Sequence, residues 1–225
     1  MFVFLLREGK HNEVFWTMTT YAAEHRVTIE RMEAWAGECR VNLIRLLLIL
    51  VLYGQHLANF YCFQAGEIDD AFHVRVTMLV VSWSVVVAAV YFVLRRGWTH
   101  PSLKFLTTMW DAVIVSGLVM LSGQPRGVFV MLYLLVIASA VVRISLPLVY
   151  VATASAAIGY LATLAHYAWV TIGSERYYVE AATRIPRYEQ FMVLLVILFA
   201  GVLAGQAVRQ TQRVALSCIA KENDS

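Results

Sequence analysis

The chain has 225 residues, 60% hydrophobic and 15% charged, with a formal net charge of +3. Soluble domains carry about 45–50% apolar and about 25% charged residues, so this composition excludes an ordinary soluble enzyme or nucleic-acid-binding domain and points to an integral membrane protein. Three scattered cysteines, Cys39, Cys62 and Cys218, form no CxxC pair, which excludes a disulfide framework and a cysteine zinc site.

Residues 1–40 are the least membrane-like part. Charges such as Arg7, Glu24, Glu33 and Glu38 alternate with bulky Phe15, Trp16 and Trp35. Val27, Ile29, Met32 and Trp35 fall roughly on one helical face, so the segment reads either as an amphipathic helix on the inner membrane surface or as a polar tail. Met18 is an alternative start. Residues 1–6 are apolar but too short, and lack the preceding basic region, for a cleavable signal peptide.

Six apolar stretches follow. A helix rises 1.5 Å per residue and needs about 20 apolar residues to cross the hydrocarbon core. Residues 41–63, 74–94, 103–121, 148–171 and 191–207 meet that length or come close. Residues 128–142 are short unless they borrow from the preceding turn. The expected organisation is an interfacial segment (1–40), an all-α six-span bundle (41–208) and a polar cytoplasmic tail (209–225). Pro101, Pro125, Pro147 and Pro186 fall between spans, as expected of residues that lack a backbone donor. Lys and Arg set orientation. Arg40, Arg45, Arg95, Arg96, Lys104, Arg143, Arg209, Arg213 and Lys221 gather on one side of the expected topology. Both termini are therefore expected in the cytoplasm of a bacterial inner membrane.

Residues 110–143 hold the feature most in need of explanation, two apolar helices joined by the short turn SGQPRG. Asp111 sits inside the first helix, about 12 Å from its start, and Arg143 closes the second. A charge in the bilayer costs a few kcal/mol or more, so Asp111 is expected to be paired or functional. Arg45, about 6 Å into the first span, and Arg143 are the candidate partners. Helix packing, a proton-linked switch and an ion site remain open roles.

His56 and His166 lie in spans and are candidate haem or copper ligands by chemistry. Their depths differ, roughly 20–23 Å against roughly 27–30 Å, and a haem wants level ligands, so no cofactor is expected. His73 and His100 are expected in solvated loops. Ala152, Ser155, Ala156, Gly159 and Thr163 make a small-residue face, and Gly201 and Gly205 form GxxxG. Both patterns suit packing within the chain or a homodimer. HExxH, GxxxxGK[ST] and GxSxG are absent from the sequence.

The hairpin resembles the membrane input module of RpfC-type bacterial sensor histidine kinases. The likeness rests on Asn42-Leu-Ile-Arg45 opening the first span, Asp111 twelve residues before Gly123, the Gly123-Gln-Pro125 turn, and Arg143 ending the next helix. It covers about residues 42–163. An Asp followed by a Gly-x-Pro hairpin also occurs in membrane modules fused to cyclases. The resemblance implies a sensor of an apolar or membrane-borne ligand, since that family responds to diffusible fatty acids, with Asp111, Arg45, Arg143 and His56 as ligand or switch candidates. In the family the last span leads to a kinase with a phosphoacceptor histidine. Here residues 208–225 follow and no histidine comes after His166. The expectation is an input module without an enzymatic output, relaying to a kinase or cyclase partner. The alternatives are a small ion- or proton-coupled transporter or channel using Asp111, and a fragment of a longer sensor kinase.

Overall fold

The structure is a computed structural model that describes residues 32, 35–63, 69–97, 101–122, 128–172 and 187–223. The amphipathic reading of residues 1–31, the Gly123–Pro125 turn, His100 and most of the long polar loop lie outside the described residues. Among the described residues every element is helical.

Helix α1 runs Trp35–Cys62 and ends in a π-helical turn, Asn59–Phe63. It therefore begins six residues before the apolar stretch and takes in Glu38 and Arg40. Helix α2, Asp70–Arg95, also begins before its apolar stretch. The Asp69 carboxylate accepts from the Ala71 N–H at 3.3 Å and caps the first turn, which brings His73 into the helix. This corrects the expectation of a solvated loop histidine.

Helix α3 spans Pro101–Leu121. Pro101 is its first residue, where the missing N–H is not needed, and Pro147 likewise lies in the first turn of the fifth helix rather than between spans. The fourth span is a 3₁₀ turn, Val128–Met131, followed by α4, Leu132–Val142. The tighter turn rises about 2.0 Å per residue, so the segment does borrow length from its entry, reaching about 24 Å in all. Helix α5 is Leu146–Ile172.

Between α4 and α5 the chain reverses in three residues. Ile144 adopts φ 49°, a left-handed conformation costly for a β-branched side chain. Its N–H donates to Val141 O at 2.9 Å, and its carbonyl accepts from Gln212 Nε2 at 3.2 Å. These bonds on both sides of the peptide hold the turn, and the turn fixes where Arg143 points.

Helix α6, Arg187–Asn223, runs on without a break through most of the polar tail expected at 209–225. Residues 208–223 contain no Gly or Pro and are rich in helix formers, so the helix continues after hydropathy falls. Its 37 residues make a rod of about 55 Å against about 30 Å of hydrocarbon. Arg209 Nη2 still reaches Tyr150 Oη at 2.8 Å, and Gln212 reaches the α4–α5 turn. Residues 213–223 extend about 16 Å further.

Among the described residues five helices are long and apolar enough to cross a membrane, and the shorter apolar 129–142 segment makes the sixth. The chain is thus an integral-membrane helical bundle. Consecutive helices alternate in direction. Trp35 of α1 donates to Leu94 O at the end of α2, and Tyr53 near the far end of α1 meets Thr77 near the start of α2.

The main core joins α3, α4, α5 and α6 through Ala112, Tyr133, Ala140, Ala152, Tyr160 and Ile197. Lipid is as apolar as Leu, so close backbone approach and hydrogen bonds replace the hydrophobic drive here. The small residues do this work within the chain. A Cβ at Gly201 would collide with the Thr153 side chain, and Gly205 faces Leu146 at van der Waals distance. A Cβ at Gly159 would press on Ser116 and Tyr133, whose hydroxyls bond at 2.9 Å. The GxxxG face is consequently covered by α5. A smaller core joins Ile49 of α1, Trp83 and Val87 of α2, and Ile114 of α3.

Gly201→Leu should displace α6 from Thr153 and cost about 1–3 kcal/mol, the usual toll of overpacking. Gly54→Leu, where a side chain meets open space, should leave stability unchanged. Thermal melting of both variants in the same detergent checks the contrast.

Candidate functional site

One face of α1 is polar and turned inward. Glu38, Asn42 and Arg45 follow one another at helical spacing, with Ile49, Tyr53 and His56 continuing the same stripe. Glu38, Asn42 and Arg45 are all buried, while Leu43, Leu46, Leu47 and Leu50 face outward. The helix is amphipathic with its polar side toward the protein, which is where a membrane helix keeps groups it cannot show to lipid.

Arg45 meets Asp111 of α3 in a bidentate pair. Nε donates to both carboxylate oxygens at 2.9 Å, and Nη2 donates to Oδ2 at 2.6 Å. The side chains are 3% and 7% exposed, so both charges are out of solvent. Trp83 Nε1 of α2 adds a third contributor, donating to Oδ1 at 3.3 Å. Three helices are thereby pinned at one carboxylate. The fork geometry of a guanidinium suits this task, because two parallel N–H bonds fix orientation as well as charge.

Arg143 was the other candidate partner for Asp111, and the structure assigns it elsewhere. Its Nη2 donates to Glu38 Oε2 at 2.9 Å and to Thr107 Oγ1 at 3.3 Å. Its Nη1 donates to Thr108 Oγ1 at 2.7 Å and to the Lys104 carbonyl at 3.3 Å. A second buried ion pair, Arg143–Glu38, thus ties the α4–α5 turn to the start of α1. Between the two pairs, Asn42 Nδ2 donates to the Val87 carbonyl at 3.2 Å, joining α1 to α2. Glu38, Thr107 and Thr108 escaped the sequence reading as site residues. Their signal was present as the Glu38-Asn42-Arg45 spacing and as a Thr pair one helical turn before Asp111.

Satisfaction is incomplete. Arg45 Nη1, Arg143 Nε and Asn42 Oδ1 are buried without a hydrogen-bond partner. Each such group costs about 1–3 kcal/mol, more when charged.

His56 lies toward the opposite end of α1. Its Nε2 and His73 Nδ1 are 3.1 Å apart, and the two rings stack with centroids 5.2 Å apart. Phe60 stacks on His73 at 4.1 Å, and Tyr53 Oη meets Thr77 Oγ1 at 3.2 Å. His166 is exposed on α5, so the structure does not turn it toward His56. Ser155 is half-buried and spends its hydroxyl on the Ala152 carbonyl at 3.0 Å. Among the described residues no cluster of three or more His, Cys, Asp or Glu could hold a metal ion.

Two cavities flank Trp83. One is a small, half-open recess of about 30 Å³ among α1, α3 and α4, lined by Arg45, Asp111, Trp83, Leu48, Leu135 and Ser139 among others. The second, about 80 Å³, lies toward the His56 end and is lined by Tyr53, His56, Phe72, Leu118 and Phe129 among others. Both are mostly apolar and partly open, and both are far smaller than the several hundred Å³ typical of a small-molecule pocket. Trp83 is shared, so whatever fills either cavity touches a residue bonded to Asp111.

No protein-family model, no curated protein and no solved structure matches the chain.

Removing either member of the Arg45–Asp111 pair strands a buried charge, which costs about 3–5 kcal/mol. Arg45→Met and Asp111→Leu should each lower the melting temperature strongly. The double variant should recover most of that loss, because apolar replacement of both members of a buried pair is near neutral. A double-mutant cycle of melts in detergent measures the coupling. Additive losses would contradict a direct pair.

Proposed function

We propose that this chain is a sensor-like input module of a bacterial cytoplasmic membrane that takes up an apolar, membrane-borne ligand and relays its presence by helix movement to a separate partner. The observation that carries the reading is the Arg45–Asp111–Trp83 junction, buried where α1, α2 and α3 meet and bordered by two partly open apolar cavities. The likeness of Asn42–Arg45, Asp111 and Arg143 to sensor-kinase input modules agrees with it. The relay partner is a kinase or cyclase, and the chain has no catalytic role of its own.

A ligand shifts a conformational balance only by its unequal affinity for the two states. Here the two states differ in how α1 and α2 sit on the other four helices. Helix α1 is suited to move. In its most apolar stretch 17% of residues are buried against 44% in α3, so polar bonds rather than packing hold it. Helix α6 is suited to report, since it packs on α4 and α5 and runs on past the bundle.

A transporter using Asp111 as an ion or proton site fits the geometry less well. Donors from two side chains already hold both carboxylate oxygens. Proton or cation flux into proteoliposomes that Asp111→Asn abolishes would reverse this preference.

Charge supports an orientation. Arg40, Arg95, Arg96, Lys104, Arg143, Arg209 and Arg213 all lie toward the end where α2 finishes and α3 begins, which favours a cytoplasmic position for that end. In intact cells an impermeant maleimide should label a single-cysteine chain that keeps exposed Cys62, and should not label one carrying only Lys221→Cys. Labelling of both would end the topology and the sensor reading with it. For the relay, cross-linking in native membranes should capture a kinase or cyclase lacking its own six-span input. Capture of the chain alone would remove the partner.

A further inference from the structure

Two imidazoles join α1 to α2 at the end away from Arg95 and Lys104. His56 Nε2 and His73 Nδ1 are 3.1 Å apart, and both residues are half-buried. The π-helical turn Asn59–Phe63 carries Phe60, whose ring stacks on His73 at 4.1 Å. Such turns are rare and are frequent at functional sites. His56 also lines the recess of about 80 Å³ that reaches Trp83.

Proton count decides whether this contact holds. Two neutral rings place one N–H opposite one lone pair, and the bond forms. One added proton leaves that arrangement in place, because an imidazolium donates to a neutral imidazole. The face of Phe60 against His73 suits a single cation. A second proton puts an N–H on both facing nitrogens. The bond is then gone, and two like charges stand in its place.

The surroundings do little to relieve that repulsion. On α1 the ionisable neighbours are Tyr53, bonded to Thr77, and exposed Tyr61 and Cys62. On α2 they are Asp69, Asp70 and Arg75, all exposed, with Asp69 capping Ala71. From α3 and the 3₁₀ turn before α4, Leu118, Leu121, Ser122 and Phe129 line the recess and carry no charge. Exposed carboxylates are screened by water and salt, so they offset little of the cost between two half-buried rings. The recess has room for water, so parting the helices hydrates both cations without unfolding either helix.

We propose that His56 and His73 form an acid-released latch, which holds α1 to α2 while the pair carries at most one added proton and parts the two helices at this end when both rings are charged. The latch goes beyond the function proposed above and depends on neither the apolar ligand nor the relay partner. Under the orientation given there it faces the outside of the cell.

The test uses the full chain in nanodiscs with Cys39→Ser and Cys218→Ser. Spin labels go on Cys62 of α1 and on Val74→Cys of α2, both exposed positions. Dipolar broadening between them should be strong at about pH 7.5 and lost at about pH 5, the range in which histidine titrates. Nitrogen NMR of the parent's histidines should show a coupling across the Nε2–Nδ1 bond that vanishes over the same range. His56→Gln and His73→Asn put an uncharged amide where each bonding nitrogen stood, so their broadening should persist at both pH values. Parent-like broadening at the higher pH shows that a variant is folded, and the parent's NMR decides the matter where a variant is not. An acid response that survives in either folded variant would overturn the latch. So would a parent without an acid response, or histidines without the coupling at the higher pH.

Discussion

A bidentate ion pair between Arg45 and Asp111 sets the arrangement of the first three helices. Burying two charges is costly, and the pair offsets that cost only through good geometry and further hydrogen bonds. Nε and Nη2 supply the geometry, and Trp83 supplies an extra bond from a third helix. Arg143 repeats the device at the start of α1 by taking Glu38, with Thr107 and Thr108 accepting from its two Nη groups while Nε stays without a partner. Helix α1 is thus stitched in at two levels by charge and, between them, by Asn42.

The remaining helices are assembled differently. Helices α3 to α6 approach one another over Gly159, Gly201, Ala152, Ala156 and Ala140, with few polar side chains among them. The Ser116–Tyr133 bond is the main polar link in that core. The molecule therefore combines a close-packed four-helix body with a peripheral α1–α2 pair held largely by oriented bonds. Packing contacts degrade gradually with displacement, whereas a bidentate pair is either seated or lost. That difference is what makes the α1–α2 side suited to two discrete arrangements.

Hydropathy made the number and approximate position of the spans readable, because the apolar requirement of lipid is strong and local. The cost of an intramembrane charge likewise drew attention to Asp111 and Arg45. Choosing between Arg45 and Arg143 as partner was beyond the sequence, since both arginines have reach and the outcome depends on helix rotation. Glu38 was overlooked because it precedes the apolar stretch, and α1 starts earlier than hydropathy suggests. The same mismatch between hydropathy and helix ends concealed His73 behind its Asp69 cap and hid the continuation of α6. Backbone hydrogen bonding carries a helix past the lipid boundary wherever propensity allows. The GxxxG motif was visible, but whether it served α5 or a second copy depended on where Thr153 stood.

The fourth span has a consequence for the surrounding lipid. With its 3₁₀ entry it measures about 24 Å, short of the roughly 30 Å hydrocarbon thickness. Met131, Leu135 and Val142 bring this short wall to the outer surface. Lipids along that flank must shorten or splay to match it, creating a dimple in an otherwise ordinary annulus. A stiff, thick bilayer resists such a dimple and a thin, pliant one accepts it. Bilayer elasticity therefore acts directly on the side of the protein that α4 presents.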